Sequence, residues 1–215
     1  APVVLPHRAE HAPVVIRAST VIDGRGTIVR DTSIAVRGSR IAALDPAARK
    51  ATYDLRGRTV MPGWIDTHVH IGNHFGRGGR AETPGETPVE AALYAVENAY
   101  AMLTAGFTTA QSIGGRGDRE LRDAIARGVI PGPRLLTSLE WITGGAPDAI
   151  RDEVRQRKRD GADLIKIFAS RSSREGGGRT LSDEQLQAAC GEAKALGLRT
   201  VVHAHSADSV EAAVG

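Results

Sequence analysis

The sequence predicts an α/β fold: a partial TIM-type (β/α)8 barrel of about five βα units, residues 63–215, preceded by a small N-terminal β-sheet domain, residues 1–62. Three features support this prediction. Short runs of branched residues, separated by turn signals, fill the chain before Pro62. After Pro62, apolar runs alternate with amphipathic patterns, which is typical of βα units with a parallel sheet. A closed barrel needs about 200–250 residues by itself, and fewer than that follow Pro62.

The N-terminal segment is predicted to form a small antiparallel sheet, an incomplete β-sandwich. Its branched runs are Val14-Val15-Ile16, Thr27-Ile28-Val29 and Ser33-Ile34-Ala35-Val36. Its turn signals are Asp23-Gly24, Arg37-Gly38 and Arg56-Gly57. So few strands need further partners before they can close a core.

The barrel segment predicts five strands, each followed by a helix. The strands centre near Asp66, Ala110, Leu136, Ile165 and Val201, and the helices cover about 89–105, 118–127, 147–160 and 182–196, with a last one that starts near 207. Capping signals support these boundaries. Ser182 precedes an acidic first turn, and Gly197 follows the last periodic residue of the same helix.

Composition excludes several classes of protein. Hydrophobic residues make up 41% of the chain and charged residues 25%, which is an ordinary globular balance. No apolar run approaches the roughly 18 residues of a membrane span, so we expect no membrane partner. A net charge of +3 with 4% aromatic residues gives no basis for nucleic-acid binding. The single cysteine, Cys190, excludes an intrachain disulfide. Because the chain opens on Ala1, the compartment stays open between cytoplasm and export after signal cleavage.

The clearest local motif runs from Pro62 to His70. Residues two apart on a strand share a face, so Asp66, His68 and His70 are expected to point to one side, and Ile65 and Val69 to covering helices on the other. Two imidazoles at the C-terminal end of a barrel strand form half of a metal site, at the rim where TIM-barrel active sites lie. The alternative is a pair of hydrogen-bonded structural histidines.

Two later strands carry residues of similar chemistry. Lys166 lies in the middle of an apolar strand, where burial lowers the pKa of an amine and makes its neutral, reactive form accessible. The alternatives are a lysine that reaches out to solvent or one that pairs with Asp66. His203 and His205 share a face at the end of the fifth strand. His74, in the Gly-rich loop after the first motif, is a candidate substrate contact.

Taken in order, these motifs resemble the N-terminal half of the amidohydrolase superfamily, in the branch of imidazolonepropionase-like and Xaa-Pro dipeptidase-like metallohydrolases. The matching pieces are Ile22-Asp23-Gly24, Pro62 to His70, Gly106-Phe107-Thr108-Thr109, Gly132-Pro133-Arg134, Ile142-Thr143-Gly144-Gly145, Gly161 to Lys166 and Val202-His203-Ala204-His205. These pieces cover nearly the whole chain. They identify the branch of the superfamily more specifically than they identify the substrate.

The resemblance implies a centre of two divalent metal ions. In it, His68 and His70 would bind the more buried ion, and Lys166 would carry a carbamate that bridges both. His203 would bind the second ion, and His205 would contact substrate or support a ligand. Zinc is the first expectation, because imidazole and oxygen ligands suit it, although manganese and cobalt are also compatible.

Departures from the family pattern limit what is carried over. After Gly-Phe-Thr-Thr the family commonly has a branched residue and then Arg-Asp, whereas this chain has Ala110-Gln111-Ser112. Ala146 stands where a histidine often follows the Thr-Gly-Gly loop, and the segment from there to Asp148 looks shortened. The family's general-base aspartate is expected beyond residue 215, so residues 1–215 alone are expected to be inactive.

The sequence therefore predicts part of a binuclear metal-dependent hydrolase of C–N bonds in amides, peptides or cyclic amides. A small-molecule or dipeptide-like substrate is expected, and a homo-oligomer stays open. The alternative hypothesis is a noncatalytic fragment that acts by association with a complementary chain, because an open parallel sheet leaves two edges unpaired.

Overall fold

The computed structural model describes residues 13–45, 50–76, 78–79 and 85–215. The chain divides into two compact units, Ala1–Pro62 and Gly63–Gly215. Among the described residues, no helix has the length and apolar character that a membrane crossing requires.

The N-terminal unit is a four-stranded mixed sheet. Its strands are β1 (Val14–Ile22), β2 (Ile28–Arg37), β3 (Arg40–Leu44) and β4 (Tyr53–Val60), in the order β3-β2-β1-β4. Asp23 starts the β1–β2 turn by accepting the N–H groups of Arg25 and Thr27 at 2.7 and 3.0 Å. The prediction of a purely antiparallel sheet is wrong, because β4 crosses to the far edge and pairs with β1 in parallel.

The Arg56-Gly57 signal marks a bulge and not a turn. Both residues lie inside β4, where the pairing with β1 shifts between Ala18 and Thr20. Gly57 has φ +83°, and its N–H donates to Ser19 Oγ at 2.8 Å. Glycine inside a strand often accommodates such an irregularity, so the same signal serves a turn or a bulge.

The barrel unit confirms the predicted partial (β/α)8 architecture. Its elements are β5 (Trp64–Val69), α1 (Pro88–Thr104), β6 (Phe107–Ser112), α2 (Asp118–Ala126), β7 (Arg134–Thr137), β8 (Trp141–Ile142), α3 (Pro147–Arg159), β9 (Leu164–Phe168), α4 (Asp183–Ala195), β10 (Arg199–His203) and α5 (Ala207–Val214). All strand pairs are parallel and form two three-stranded sheets, β5-β6-β7 and β8-β9-β10.

A kink divides the predicted third strand into β7 and β8. Leu139 has φ +65°, which is unusual for a residue with a side chain. Its N–H donates to Thr137 Oγ1 at 2.9 Å, and its C=O accepts from Gly115 N–H at 3.1 Å. Between the two sheets, Asp163 donates its N–H to the Thr137 C=O and accepts the Thr137 N–H on its carboxylate, each at 2.9 Å.

Each sheet carries its own apolar core on the helical side. Ala99, Ala110 and Leu135 are central to the first core, and Ile142, Ile165 and Ile167 to the second. Fully burying an aliphatic side chain of this size stabilises the fold by roughly 1.5–3 kcal/mol. The expectation that helices cover Ile65 is wrong: Ile65 is 65% exposed. β5 is the outer strand of its sheet, and α1 packs on β6.

Candidate metal centre at the rim of the barrel

His68 and His70 lie together at the C-terminal end of β5. Their ring centroids are 6.1 Å apart, and Asp66 Oδ1 accepts the backbone N–H of His68 at 3.0 Å. His70 Nδ1 is 3.2 Å from the Gly114 carbonyl oxygen. A carbonyl can only accept, so this contact requires a proton on Nδ1. The Nε2 lone pair of His70 is then free to bind a metal ion.

Lys166 is buried in the middle of β9 with an exposed fraction of 1%. Burial lowers the pKa of its amine to about 8. The amine nitrogen lies 5.0 Å from the ring centroid of Phe168. The alternative in which Lys166 reaches out to solvent is therefore wrong. Within the described part of the chain, Lys166 forms no ion pair with Asp66 or any other carboxylate.

His203 ends β10, and the His205 ring lies edge-on to it with centroids 4.4 Å apart. His203 Nε2 is buried and has no hydrogen-bond partner in the structure. Burial lowers the pKa of His203 and outweighs a hydrogen bond with the backbone of Arg171, which raises it; the charges of His205 and Lys166 lower this pKa further. A buried nitrogen without a partner is costly for a protein that offers it no ligand.

The two histidine pairs lie on different sheets but share one electrostatic environment. Burial lowers the pKa of His68, and the nearby charge of Lys166 lowers it further, as it does for His203. Aromatic rings connect the pairs. Trp141 lies edge-on to His70 at 6.2 Å and to Phe168 at 5.5 Å, and Phe168 is 4.7 Å from His203.

The donor set of the described residues matches a metal site only in part. Among the described residues, no three His, Cys, Asp or Glu side chains form a group that could hold a metal ion. The free nitrogen of His203 and the oriented ring of His70 are nevertheless features of metal-binding histidines. An unmodified lysine adds a cation and no carboxylate-like oxygen. The described side chains, in their unmodified form, therefore do not complete a metal site.

His74 is engaged with the protein itself. Its ring stacks on Tyr94 of α1 at 3.8 Å, and its Nδ1 lies 3.1 Å from the Gly72 carbonyl oxygen. Its Nε2 is 3.2 Å from Glu86 Oε1, an ion-pair distance without hydrogen-bond geometry. A contact with substrate stays a prediction, and it would require the ring to leave Tyr94 and Glu86. His205 is exposed at the rim, and its predicted substrate contact is likewise untested.

Two residues near the site were not predicted. Trp141 joins the histidine pairs, and its only sequence signal is an aromatic residue just before the Thr-Gly-Gly loop. Asp118 is the first residue of α2, where an acidic residue also fits a helix start. Nothing in the sequence distinguishes a buried Asp118 from a solvated one.

The family model described as the amidohydrolase family matches residues 59–214. The chain belongs to the amidohydrolase family. This assignment confirms the resemblance predicted from the motifs. Within the family, the amidohydrolase chain superposes on a Xaa-Pro dipeptidase with bound methionine with a TM-score of 0.82 and 29% identity. It superposes on a prolidase complexed with N-methylphosphonate-L-proline with a TM-score of 0.82 and 25% identity. Each superposition covers 94% of this chain and 59% of the solved chain.

Shorter stretches of the amidohydrolase chain match curated relatives. Imidazolonepropionase from Micrococcus luteus is 39% identical over 56 residues, which are 24% of this chain and 14% of that protein. D-aminoacylase from Alcaligenes xylosoxydans xylosoxydans is 40% identical over 65 residues, which are 29% of this chain and 13% of that protein. The aligned stretches thus span only a small part of these relatives.

Proposed function

We propose that this amidohydrolase chain contributes part of the active site of a metal-dependent hydrolase that cleaves C–N bonds in amides, peptides or cyclic amides. The observation that carries the proposal is the buried Lys166 between two histidine pairs at one barrel rim, with His203 Nε2 left without a partner. A small-molecule or dipeptide-like substrate is proposed because the chain is similar to a Xaa-Pro dipeptidase and to an imidazolonepropionase.

His68, His70 and His203 would bind two divalent metal ions, with zinc the first choice, together with a carbamate on Lys166. Such ions polarise a scissile carbonyl and lower the pKa of a bound water. The chain's own part is to hold these donors in place. The Gly114 carbonyl fixes the His70 ring, and burial keeps a neutral fraction of the Lys166 amine available near pH 8.

Formation of the carbamate needs only CO₂. The neutral Lys166 nitrogen would form a bond to the carbon of CO₂ while one C=O π pair moves onto its oxygen, and the nitrogen would then lose a proton to water, leaving a carbamate anion. The proton shuttle that the family resemblance implies is an aspartate beyond residue 215. Catalysis is therefore proposed for the whole protein, and residues 1–215 alone are expected to be inactive.

The test is Lys166→Ala in the full-length protein, with Lys158→Ala, an exposed lysine on α3, as the matched control. Hydrolysis of a dipeptide and N-acyl amino acid panel is measured with added zinc and bicarbonate. We expect Lys166→Ala to lower activity by at least about 100-fold and Lys158→Ala to leave it unchanged. The intact mass of the wild type should also include one added CO₂. Full activity of Lys166→Ala without bicarbonate would contradict the role of the lysine.

A second candidate function is noncatalytic association with a complementary chain. It is favoured by Trp64 and Ile65, which are 59% and 65% exposed on the outer strand β5. Native mass spectrometry of the chain separates the two candidates: a stable, metal-free monomer that recruits no partner would exclude association.

A further inference from the structure

Asp118 is the most buried carboxylate near the candidate site. Its exposed fraction is 2%, although it is the first residue of a surface helix. Thr137 Oγ1 donates to Asp118 Oδ2 at 2.9 Å, and the Ser112 hydroxyl also hydrogen-bonds the carboxylate. Gly115 leaves room for it, since a Cβ there would come within 3.1 Å of Oδ1. Two hydroxyls from two strands thus meet on one carboxylate.

Each hydroxyl that binds Asp118 also holds a backbone N–H. Ile71, the residue after His70, donates its N–H to Ser112 Oγ at 3.3 Å. Leu139, the kink residue with φ +65°, donates its N–H to Thr137 Oγ1 at 2.9 Å. A hydroxyl has one proton and two lone pairs. Because its proton is committed to the carboxylate, its lone pairs are directed to the N–H.

Two hydrogen-bond paths, the Ser112 arm and the Thr137 arm, lead from Asp118 to His70. The Ser112 arm fixes the backbone at Ile71, directly after the histidine. The Thr137 arm fixes Leu139, whose C=O accepts the Gly115 N–H at 3.1 Å, and so holds the neighbouring Gly114. The Gly114 carbonyl in turn accepts from His70 Nδ1. The backbone and the ring of His70 therefore both depend on hydroxyls that Asp118 orients.

We propose that Asp118 is a positioning residue for His70: its carboxylate orients the Ser112 and Thr137 hydroxyls and thereby fixes the backbone and the Nδ1–H tautomer of this candidate metal ligand. The proposal rests on the proposed function for its catalytic meaning. A helix-start role alone would not explain the carboxylate, because an exposed acidic residue satisfies a helix N-terminus equally well. Burial raises the pKa of Asp118, so the fold retains this carboxyl at a cost.

An amide in place of the carboxylate would disrupt the network. An asparagine keeps one accepting oxygen and replaces the other with an NH₂ group that donates, so a hydroxyl that faces the NH₂ group loses its acceptor. That hydroxyl would turn, and its N–H partner would lose its acceptor. The asparagine side chain is therefore close in size to that of Asp118 but does not reproduce its hydrogen bonds.

The experiment compares Ser112→Ala, Thr137→Val and Asp118→Asn in the full-length protein. Asp163→Asn is the matched control, because Asp163 also binds Thr137, through the backbone N–H, and makes no contact with either hydroxyl. Amide hydrogen exchange is measured at Ile71 and Leu139. The His70 tautomer is read from ring ¹⁵N shifts, and Co²⁺ affinity is measured by titration.

We expect Ser112→Ala to speed exchange at Ile71 and Thr137→Val to speed it at Leu139, each by about 10-fold, and Asp118→Asn to speed it at one of these amides or at both. Asp118→Asn should also mix the His70 tautomers and weaken Co²⁺ binding by about 10–100-fold, while Asp163→Asn should do neither. Native exchange and a single His70 tautomer in Asp118→Asn would overturn the proposal.

Two further outcomes are decisive. If Asp118→Asn fails to fold, Ser112→Ala and Thr137→Val decide. The proposal requires each of these variants to speed exchange mainly at its own amide, so equal exchange at Ile71 and Leu139 in both variants would contradict it. If the wild type binds no Co²⁺, the proposed function fails, whereas the exchange and tautomer measurements still test Asp118.

Discussion

At the scale of single residues, Gly114 controls the packing beside a candidate metal ligand. Its φ is +103°, and a Cβ there would come within 2.3 Å of Trp141 Nε1 and 3.0 Å of Ser138 Oγ. The Trp141 indole is fixed in turn, because its N–H donates to the Ile113 C=O at 2.8 Å. A side chain at position 114 would therefore displace the ring that lies against His70.

Gly114→Ala is predicted to lower the free energy of unfolding by about 2–4 kcal/mol, the sum of left-handed strain and overpacking. Urea unfolding measures this change. Gly117→Ala is the control, since Gly117 has φ +84° and no atom within 4 Å of a new Cβ, and it should cost about 1–2 kcal/mol from strain alone. Equal losses in the two variants would show that contact with Trp141 does not matter.

The site illustrates which residues a sequence can identify. His68, His70 and His203 stand out because pairs of imidazoles end two predicted strands, and Lys166 because a charge interrupts an apolar run. Their metal-binding roles remain proposals. Asp118 could not be found in this way. Its partners come from β6 and β7, and its burial depends on how the ends of these strands meet the start of α2.

At the scale of elements, the helices differ in how their N-termini are capped. In α4, Gln185 N–H donates to Ser182 Oγ at 3.2 Å and Ser182 N–H donates to Gln185 Oε1 at 2.8 Å. Thr87 and Glu90 form the same reciprocal capping box in α1. In α3 the capping position is Ala146, in extended backbone with no side-chain oxygen to accept a hydrogen bond.

Ala146→Ser is predicted to raise the free energy of unfolding by about 1 kcal/mol, and Ser182→Ala to lower it by a similar amount. Thermal and urea unfolding of both variants check the prediction. Ala149→Ser, inside the first turn of α3, is the control for the loss of helix propensity and should be neutral or slightly destabilising. A neutral Ala146→Ser would indicate that this end of α3 is already satisfied by water.

The helices were predictable because their signals are local, and the strands were less so because strand pairing is not. All five predicted helices of the barrel segment begin within one residue of the observed starts, and the four with a predicted end finish within one residue of the observed ends. The direction of β4 depends on which edge of the sheet it joins, which no local signal at Arg56-Gly57 records. The division of the third predicted strand escaped prediction, because the two residues of β8, Trp141 and Ile142, carry no period.

At the scale of the whole barrel unit, a contact between two polar side chains joins strands from its two sheets. Arg199, at the start of β10, donates from Nη2 to Gln111 Oε1 of β6 at 3.0 Å. Gln111 Nε2 donates to the Thr67 carbonyl of β5 at 2.9 Å. Gln111 stands in the segment where the family commonly has Arg-Asp. The chain thus links strands β5, β6 and β10 through a single buried amide.

A double-mutant cycle of Arg199→Ala and Gln111→Ala is predicted to give a coupling energy of about 1 kcal/mol, because a charged donor is then left without its acceptor. The coupling energy is measured by urea unfolding of the wild type, the two single variants and the double variant. The Arg151–Asp148 pair on α3 is the control and should couple more weakly, since exposed ion pairs are screened. Strictly additive losses for Arg199 and Gln111 would contradict the cross-sheet link.

The parallel pairing of β1 with β4 also bears on the order in which the N-terminal unit forms. The β1–β2 hairpin closes over a short turn, whereas Ile16 meets Tyr53 only after the intervening chain has been brought round. Distant contacts cost more chain entropy and form more slowly than local ones. We expect the hairpin to assemble first and β4 to dock last. Until β4 docks, one edge of β1 can pair with strands of other molecules. Aggregation during refolding should therefore decline as β4 docks.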